Sequence, residues 1–221
     1  MAPTETDIRT LLASQSYSSS SLPQLEAYLA AQASGAAPYL ADAVRTTVKL
    51  YQLFPEKANQ SNTAHACMLA MLEYPHTDLL ALSYMIPMDT LETEPLQTIV
   101  KCSDQLDACQ FAEFWKTLAA IASSSDPVLA QMATRAVPKL QKSILSILAL
   151  SYKQAPAAVV RAALNAQNVA HVASLQHEAV ESVTPELVTF GASPDNTKRK
   201  RVYQEGVNFT AISSLMAKMG Q

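Results

Sequence analysis

The chain has 221 residues, 49% of them hydrophobic and only 16% charged, and its 16 Lys and Arg against 19 Asp and Glu leave a net charge of −3. That length suits one or two domains with a sizeable core, and so little charge implies either a large core or apolar surface for partners to cover. The small negative balance excludes a whole-molecule field that would gather nucleic acid or anionic lipid.

Only four glycines and abundant alanine favour helix, since glycine costs about 1 kcal/mol relative to alanine inside a helix. Three cysteines, Cys67, Cys102 and Cys109, stand in unrelated contexts, which fits buried thiols in a reducing compartment. The first seven residues are polar and acidic, unlike a signal peptide, and no apolar run approaches the roughly 20 residues of a membrane-spanning helix. The expectation is a soluble, cytoplasmic protein without membrane contact.

In chain order, a short helix is predicted over 7–13, with Ile8, Leu11 and Leu12 apolar, and then a serine-rich loop. Ser21 and Gln24 have the spacing of a capping box; the helix they open gathers Leu22, Leu25, Tyr28 and Leu29 before Gly35 ends it. Leu40, Val44, Val48 and Tyr51 mark a helix over 38–53, stopped by Phe54-Pro55. Another over 58–72 carries Ala64, Met68, Met71 and Leu72. Pro75-His76-Thr77-Asp78 breaks the chain and restarts it over 79–85. Pro95 opens a helix with Leu96, Ile99, Val100 and Leu106, and Phe111, Phe114, Trp115, Leu118 and Ile121 stripe one over 109–121. Asp126-Pro127 is a cap followed by a first-turn proline. The class is mostly α: a HEAT-like helical-repeat domain (α-solenoid) over 1–137.

A winged helix is expected over 138–203. Leu140, Ile144, Ile147, Leu148 and Ser151 share one stripe of a helix over 139–152. Pro156 stands in the first turn of the next helix, 157–164, which sends Val160, Ala163 and Leu164 to one side. Asn165 to Asn168 turn the chain, and a third helix, 169–178, points Val169, Val172 and Leu175 inward. Two β-type runs, 179–183 and 186–190, meet at Thr184-Pro185 as a short hairpin, with Val202 and Tyr203 as a third strand. A terminal amphipathic helix lies within 204–221, capped by Asn208 or Thr210. Its Phe209, Ile212, Leu215, Met216 and Met219 form one face, and a helix so short must dock to be stable.

Charge decides what the wing meets. No Lys or Arg occurs from 162 to 197, while Glu178, Glu181, Glu186 and Asp195 are acidic. The helix that would enter a DNA groove offers Asn168, His171, Ser174, Gln176 and His177. Phosphate contacts supply most nucleic-acid affinity, so protein docking is favoured, through Leu187 and Phe190 of the wing and the apolar face of the last helix. Lys198, Arg199, Lys200 and Arg201 are the one stretch suited to RNA contact, expected to be weak, or to nuclear import; a solvated wing tip is the favoured reading.

Chemistry is sparse. His76 and Asp78 suit either an acid/base pair or a helix-helix corner capped by Thr77 or Asp78; the corner is favoured, because no nucleophile motif accompanies them. His65 and Cys67 fall on opposite helix faces, and His171 and His177 diverge likewise. Cys102 and Cys109 are about 10 Å apart along a helix, and no Cys-x-x-Cys pair occurs. No catalytic residue, cofactor, metal or small-molecule substrate is expected.

The chain resembles the k-subunit family of eukaryotic translation initiation factor 3. Five segments carry the resemblance: Leu25-Glu26-Ala27-Tyr28-Leu29-Ala30-Ala31-Gln32; Val48-Lys49-Leu50-Tyr51-Gln52-Leu53-Phe54-Pro55; Pro75-His76-Thr77-Asp78; Cys109-Gln110-Phe111-Ala112-Glu113-Phe114-Trp115-Lys116-Thr117-Leu118; and Val207-Asn208-Phe209-Thr210-Ala211-Ile212-Ser213-Ser214-Leu215-Met216. The sequence departs from the family between about 123 and 190, where it is alanine-rich, and at 198–201. The resemblance implies a PCI-type helical-repeat and winged-helix subunit, non-catalytic, that helps assemble the initiation complex on the small ribosomal subunit. It implies the other subunits of the factor as partners, above all the l subunit. A PCI subunit of the signalosome or proteasome lid, or a winged-helix nucleic-acid binder, is the alternative.

Overall fold

The computed structural model describes residues 3–197 and 209–219. Helix α1 (Glu5–Gln15) opens on a reciprocal cap: the Thr4 hydroxyl accepts from the Asp7 amide while the Asp7 carboxylate accepts from the Thr4 amide. Ser21 forms no such box. A 3-10 turn over Ser19–Ser21 runs directly into α2 (Leu22–Ser34), so Ser21 is already helical and its hydroxyl donates to the Ser18 carbonyl.

α2 ends at Gly35 in the left-handed region, φ 81°, a conformation that is strained for a residue with a Cβ. The guanidinium of Arg135 lies over this end and donates to the Ala33 carbonyl at 3.0 Å. A Cβ at position 35 would stand 2.1 Å from Arg135 Nη1. Gly35→Ala is therefore expected to cost about 1–2 kcal/mol from the backbone alone, and more if the displaced guanidinium leaves the carbonyl bare. A lower urea midpoint with an unchanged slope would report it.

α3 (Ala41–Leu53) and α4 (Gln60–Met71) follow. α4 is apolar nearly all round, and such a helix belongs inside: it touches α2, α3, α5 (Asp78–Ser83), α7 (Leu96–Asp107) and α9 (Pro127–Ser151). A short helix α6 (Met88–Leu91), not foreseen in the sequence, bridges α5 and α7. The stripe of α8 (Phe111–Ala122) is buried throughout, at Phe111, Phe114, Trp115, Leu118 and Ile121. Cys67 and Cys102 are buried, and burial pushes their thiols up to about 12, which makes them inert. Cys109 differs from expectation: it turns the chain between α7 and α8 at φ 56° and is exposed.

The separate helix expected over 139–152 is the second half of α9, which passes through Pro138. Pro138 faces solvent, where the carbonyl it leaves unpaired can meet water. Leu129, Met132, Ala133 and Ala136 before it and Leu140, Ile144, Leu145 and Leu148 after it continue one buried stripe without a change of phase. The boundary drawn at 137/138 thus falls inside a continuous helix. Consistent with that, one apolar core runs from Leu29 through α9 to Val188 and Phe190, beside a smaller one of Ile8, Leu22, Leu25, Tyr28, Leu40, Ala43, Leu50 and Tyr51.

After α9 come β1 (Gln154–Pro156), α10 (Ala157–Leu164), α11 (Val169–Ser174), β2 (Val180–Val183) and β3 (Leu187–Phe190). The sheet is antiparallel in the order β1-β3-β2. Its third strand is residues 154–156, with Pro156 on an edge, where proline is tolerated. Val202 and Tyr203, expected in that role, lie outside the described residues. α12 (Phe209–Met219) closes the described chain.

Candidate protein-interaction surface

The winged helix is seated by hydrogen bonds that end α10. Its last carbonyls have no partner within the helix; Trp115 Nε1 of α8 donates to the Ala163 carbonyl at 2.8 Å and the buried Gln141 Nε2 of α9 to the Leu164 carbonyl at 2.8 Å. Asn165 then takes φ 50°, and Asn168 caps α11 by accepting from the His171 amide at 2.8 Å.

The polar side chains that would face a DNA groove are committed inward or to their own backbone. Asn168 is the cap. His171 Nε2 meets Gln141 Oε1 at 3.2 Å, the Ser174 hydroxyl donates to the His171 carbonyl, and His177 Nε2 lies 2.8 Å from Ser146 Oγ. His177 Nδ1 also accepts from the Ala179 amide. Gln176, at φ 44°, only turns the chain out of α11. With no Lys or Arg from 162 to 197, this face offers neither to a phosphate backbone. The basic run Lys198, Arg199, Lys200 and Arg201 lies outside the described residues.

On the wing, strand alternation separates two residues expected to share an interface. Val188 and Phe190 point into the core and are fully buried, whereas Leu187 and Thr189 are half-buried on the other face. Phe190 is a core residue and offers no surface; Leu187 remains available. Three positions apart on a strand, the pair could never have shared a face.

The terminal helix is different. Phe209, Ile212, Leu215, Met216 and Met219 are all exposed, from 41% to 80% of their surface. Phe209, Ile212, Met216 and Met219 follow a three-four-three spacing, the seam of a coiled coil, and Leu215 widens it. Eleven residues are too few for a helix to persist in water alone. This is the largest concentration of exposed apolar side chains on any one described helix.

The polar clusters elsewhere are structural. Asp78 accepts from the Tyr39 hydroxyl and from Arg45, each at 2.9 Å, so the 75–78 corner is tied to α3 rather than to His76. Ser61, His65 and Asp126 meet in space, but serine and histidine both address the same Asp126 oxygen, at 3.4 and 3.0 Å, so no serine-histidine relay exists. Among the described residues no group of three or more His, Cys, Asp or Glu gathers to hold a metal, and no helix is long and apolar enough to cross a membrane.

Asp126 caps α9 through the amides of Val128 and Leu129. Burial alone would raise its carboxyl; the His65 ring and the two amides outweigh that and hold it below the usual range. A depressed carboxylate stabilises the fold above its unfolded value of about 4 and loses that contribution as the pH falls through the folded value. Asp126→Asn is expected to flatten the loss of stability below about pH 4, measured by urea midpoints across an acid series.

A helical-repeat body closed by a winged helix with a small antiparallel sheet is the class these elements define, followed by a helix with exposed apolar side chains. The chain is related in sequence to subunit K of eukaryotic translation initiation factor 3. It is 36% identical over 108 residues to that subunit of Dictyostelium discoideum, covering 49% of this chain and 43% of the relative. Against the Homo sapiens subunit it is 33% identical over 102 residues, 46% of each chain, and against that of Bombyx mori 34% over 67 residues, 30% of this chain and 31% of the relative. The chain therefore spans about half the length or less of the curated relatives it matches. No protein-family model matches it.

Proposed function

We propose that the protein is a non-catalytic structural subunit of eukaryotic translation initiation factor 3. It acts through protein-protein contacts in assembling the initiation complex on the small ribosomal subunit. The observation that carries this is the exposed apolar seam of α12, suited to packing against another helix, on a chain whose relatives bear the name of that factor's subunit K. Under this reading, residues 1–137 are the repeat unit, 138–203 the winged helix and 204–221 the docking helix. Phe209, Ile212, Leu215, Met216 and Met219, with Leu187 on the wing, meet the other subunits, above all the l subunit. The protein works in the cytoplasm, and RNA contact through 198–201 is secondary.

The tagged chain, purified from cytosol after nuclease treatment, is expected to retain initiation-factor subunits and small-subunit ribosomal proteins by mass spectrometry. Recovery of signalosome or proteasome-lid subunits instead would move the assignment to a sister complex. Loss of every partner on nuclease treatment would point to 198–201 and overturn the protein-docking reading.

A further inference from the structure

A second surface lies between α6 and α7. α7 buries Leu96, Ile99, Cys102 and Leu106, which leaves Val100 and Lys101 on its outer face with Asp104 one helical turn on. α6 runs beside it, and Met88, 69% exposed, and Leu91 form the facing wall. Between the two helices is a cleft of about 490 Å³, with Met88, Leu91 and Val100 as its apolar lining and Glu92, Glu94, Asp104 and one cation, Lys101, around them.

The charge here is unlike that of the whole molecule. From 83 to 107 the chain carries Asp89, Glu92, Glu94, Asp104 and Asp107 against the single cation Lys101. Asp107, further along α7, has its carboxyl held above its usual range mainly by burial and in smaller part by the neighbouring Asp104 charge. An apolar cleft with such a rim rejects phosphate backbones, and it rejects a second copy of itself, since a two-fold interface would set carboxylates against carboxylates.

We infer that the α6–α7 cleft docks a basic amphipathic helix of a partner protein, whose apolar side chains fill the space between Met88, Leu91 and Val100 while its Lys and Arg meet Glu92, Glu94 and Asp104. Helix-in-groove recognition needs such spaced apolar anchors, and the acidic rim speeds and orients encounter.

The test uses the full chain and a fluorescent amphipathic peptide of Leu and Lys, with a Leu and Glu peptide as its counterpart, read by anisotropy. The Lys peptide is expected to bind, less tightly as salt rises, and the Glu peptide not to bind. Replacing Glu92 and Glu94 by Lys is expected to weaken binding roughly tenfold or more, whereas Glu113→Lys on the exposed face of α8, an equal change of charge per site, leaves it nearly unchanged. Met88→Asp is decisive, because Met88 is too exposed for the change to unfold the chain. It adds negative charge, so diffuse attraction predicts equal or tighter binding, while docking on the apolar wall predicts a loss of about tenfold. Unchanged or tighter binding by Met88→Asp overturns the inference. So does equal binding of the Glu peptide, self-association of the parent chain that Met88→Asp abolishes, or much tighter binding once Lys198, Arg199, Lys200 and Arg201 are replaced by Gln, which would make the chain's own basic run the occupant.

Discussion

Phe190→Ala is expected to destabilise the protein by about 3–5 kcal/mol, the range for removing a fully buried aromatic ring. Phe190 is fully buried at the end of β3, the central strand that pairs with both β1 and β2, so no neighbouring strand can move in to fill the space. For a chain of this size that is a fall of roughly 6–20 °C in the thermal midpoint. Leu187→Ala, on the half-buried face of the same strand, should shift it far less. The one tryptophan makes the experiment more informative, because Trp115 sits on α8 and its indole N–H holds the end of α10. If the apolar core is continuous from the repeat helices into the wing, Trp115 fluorescence and far-ultraviolet circular dichroism will lose their signals together, in the variant as in the parent. A fluorescence transition that stays at the parental temperature while the wing melts early would mean that the winged helix unfolds on its own.

The helices of the front half were legible because their burial is periodic and local. The stripes of α2, α3 and α8 named from spacing alone, such as Leu25, Tyr28 and Leu29 or Phe114, Trp115 and Leu118, are the buried ones. Two kinds of feature escaped. One was continuity: Pro138 reads locally as a stop, yet the stripe from Leu129 to Leu148 keeps its phase across it, and that phase was present in the sequence. The other was long-range pairing. β1 is three residues long and takes its identity from Leu187, Val188 and Thr189, more than thirty positions on; nothing within residues 154–156 announces it. The His65–Asp126 contact spans 61 positions and was equally hidden. Ser21 failed as a cap because the preceding serines had already begun the helical turn.

Of the candidate surface, the apolar face of α12 is legible from spacing, whereas strand alternation sends Phe190 into the core. The α6–α7 cleft needed the fold, since Met88 and Val100 belong to different helices and only α6 turning back on α7 sets them across from one another. The inward hydrogen bonds of His171 and His177 needed it too. Their partners Gln141 and Ser146 lie on α9, about thirty residues earlier, so these contacts could not be read from local spacing.

Ile212→Asp with Leu215→Asp is expected to release the protein from its complex while leaving its own fold intact. Both side chains stand on the exposed face of α12, 41% and 61% open, and neither belongs to the buried core, so the circular dichroism of the isolated chain should change little. In an assembled helical seam each position would be dehydrated. A carboxylate buried there without a cation costs several kcal/mol, and central interface anchors are commonly worth 2 kcal/mol or more. Two such losses correspond to roughly a thousandfold weaker association, enough to empty the tagged protein of partners during washing. Lys218→Ala on the same helix serves as the control and should remain assembled. Two other outcomes are informative: full retention of the double variant would remove α12 from the interface, and a lowered thermal midpoint in the isolated chain would mean that α12 docks on its own body, leaving the wing around Leu187 as the surface that partners must use.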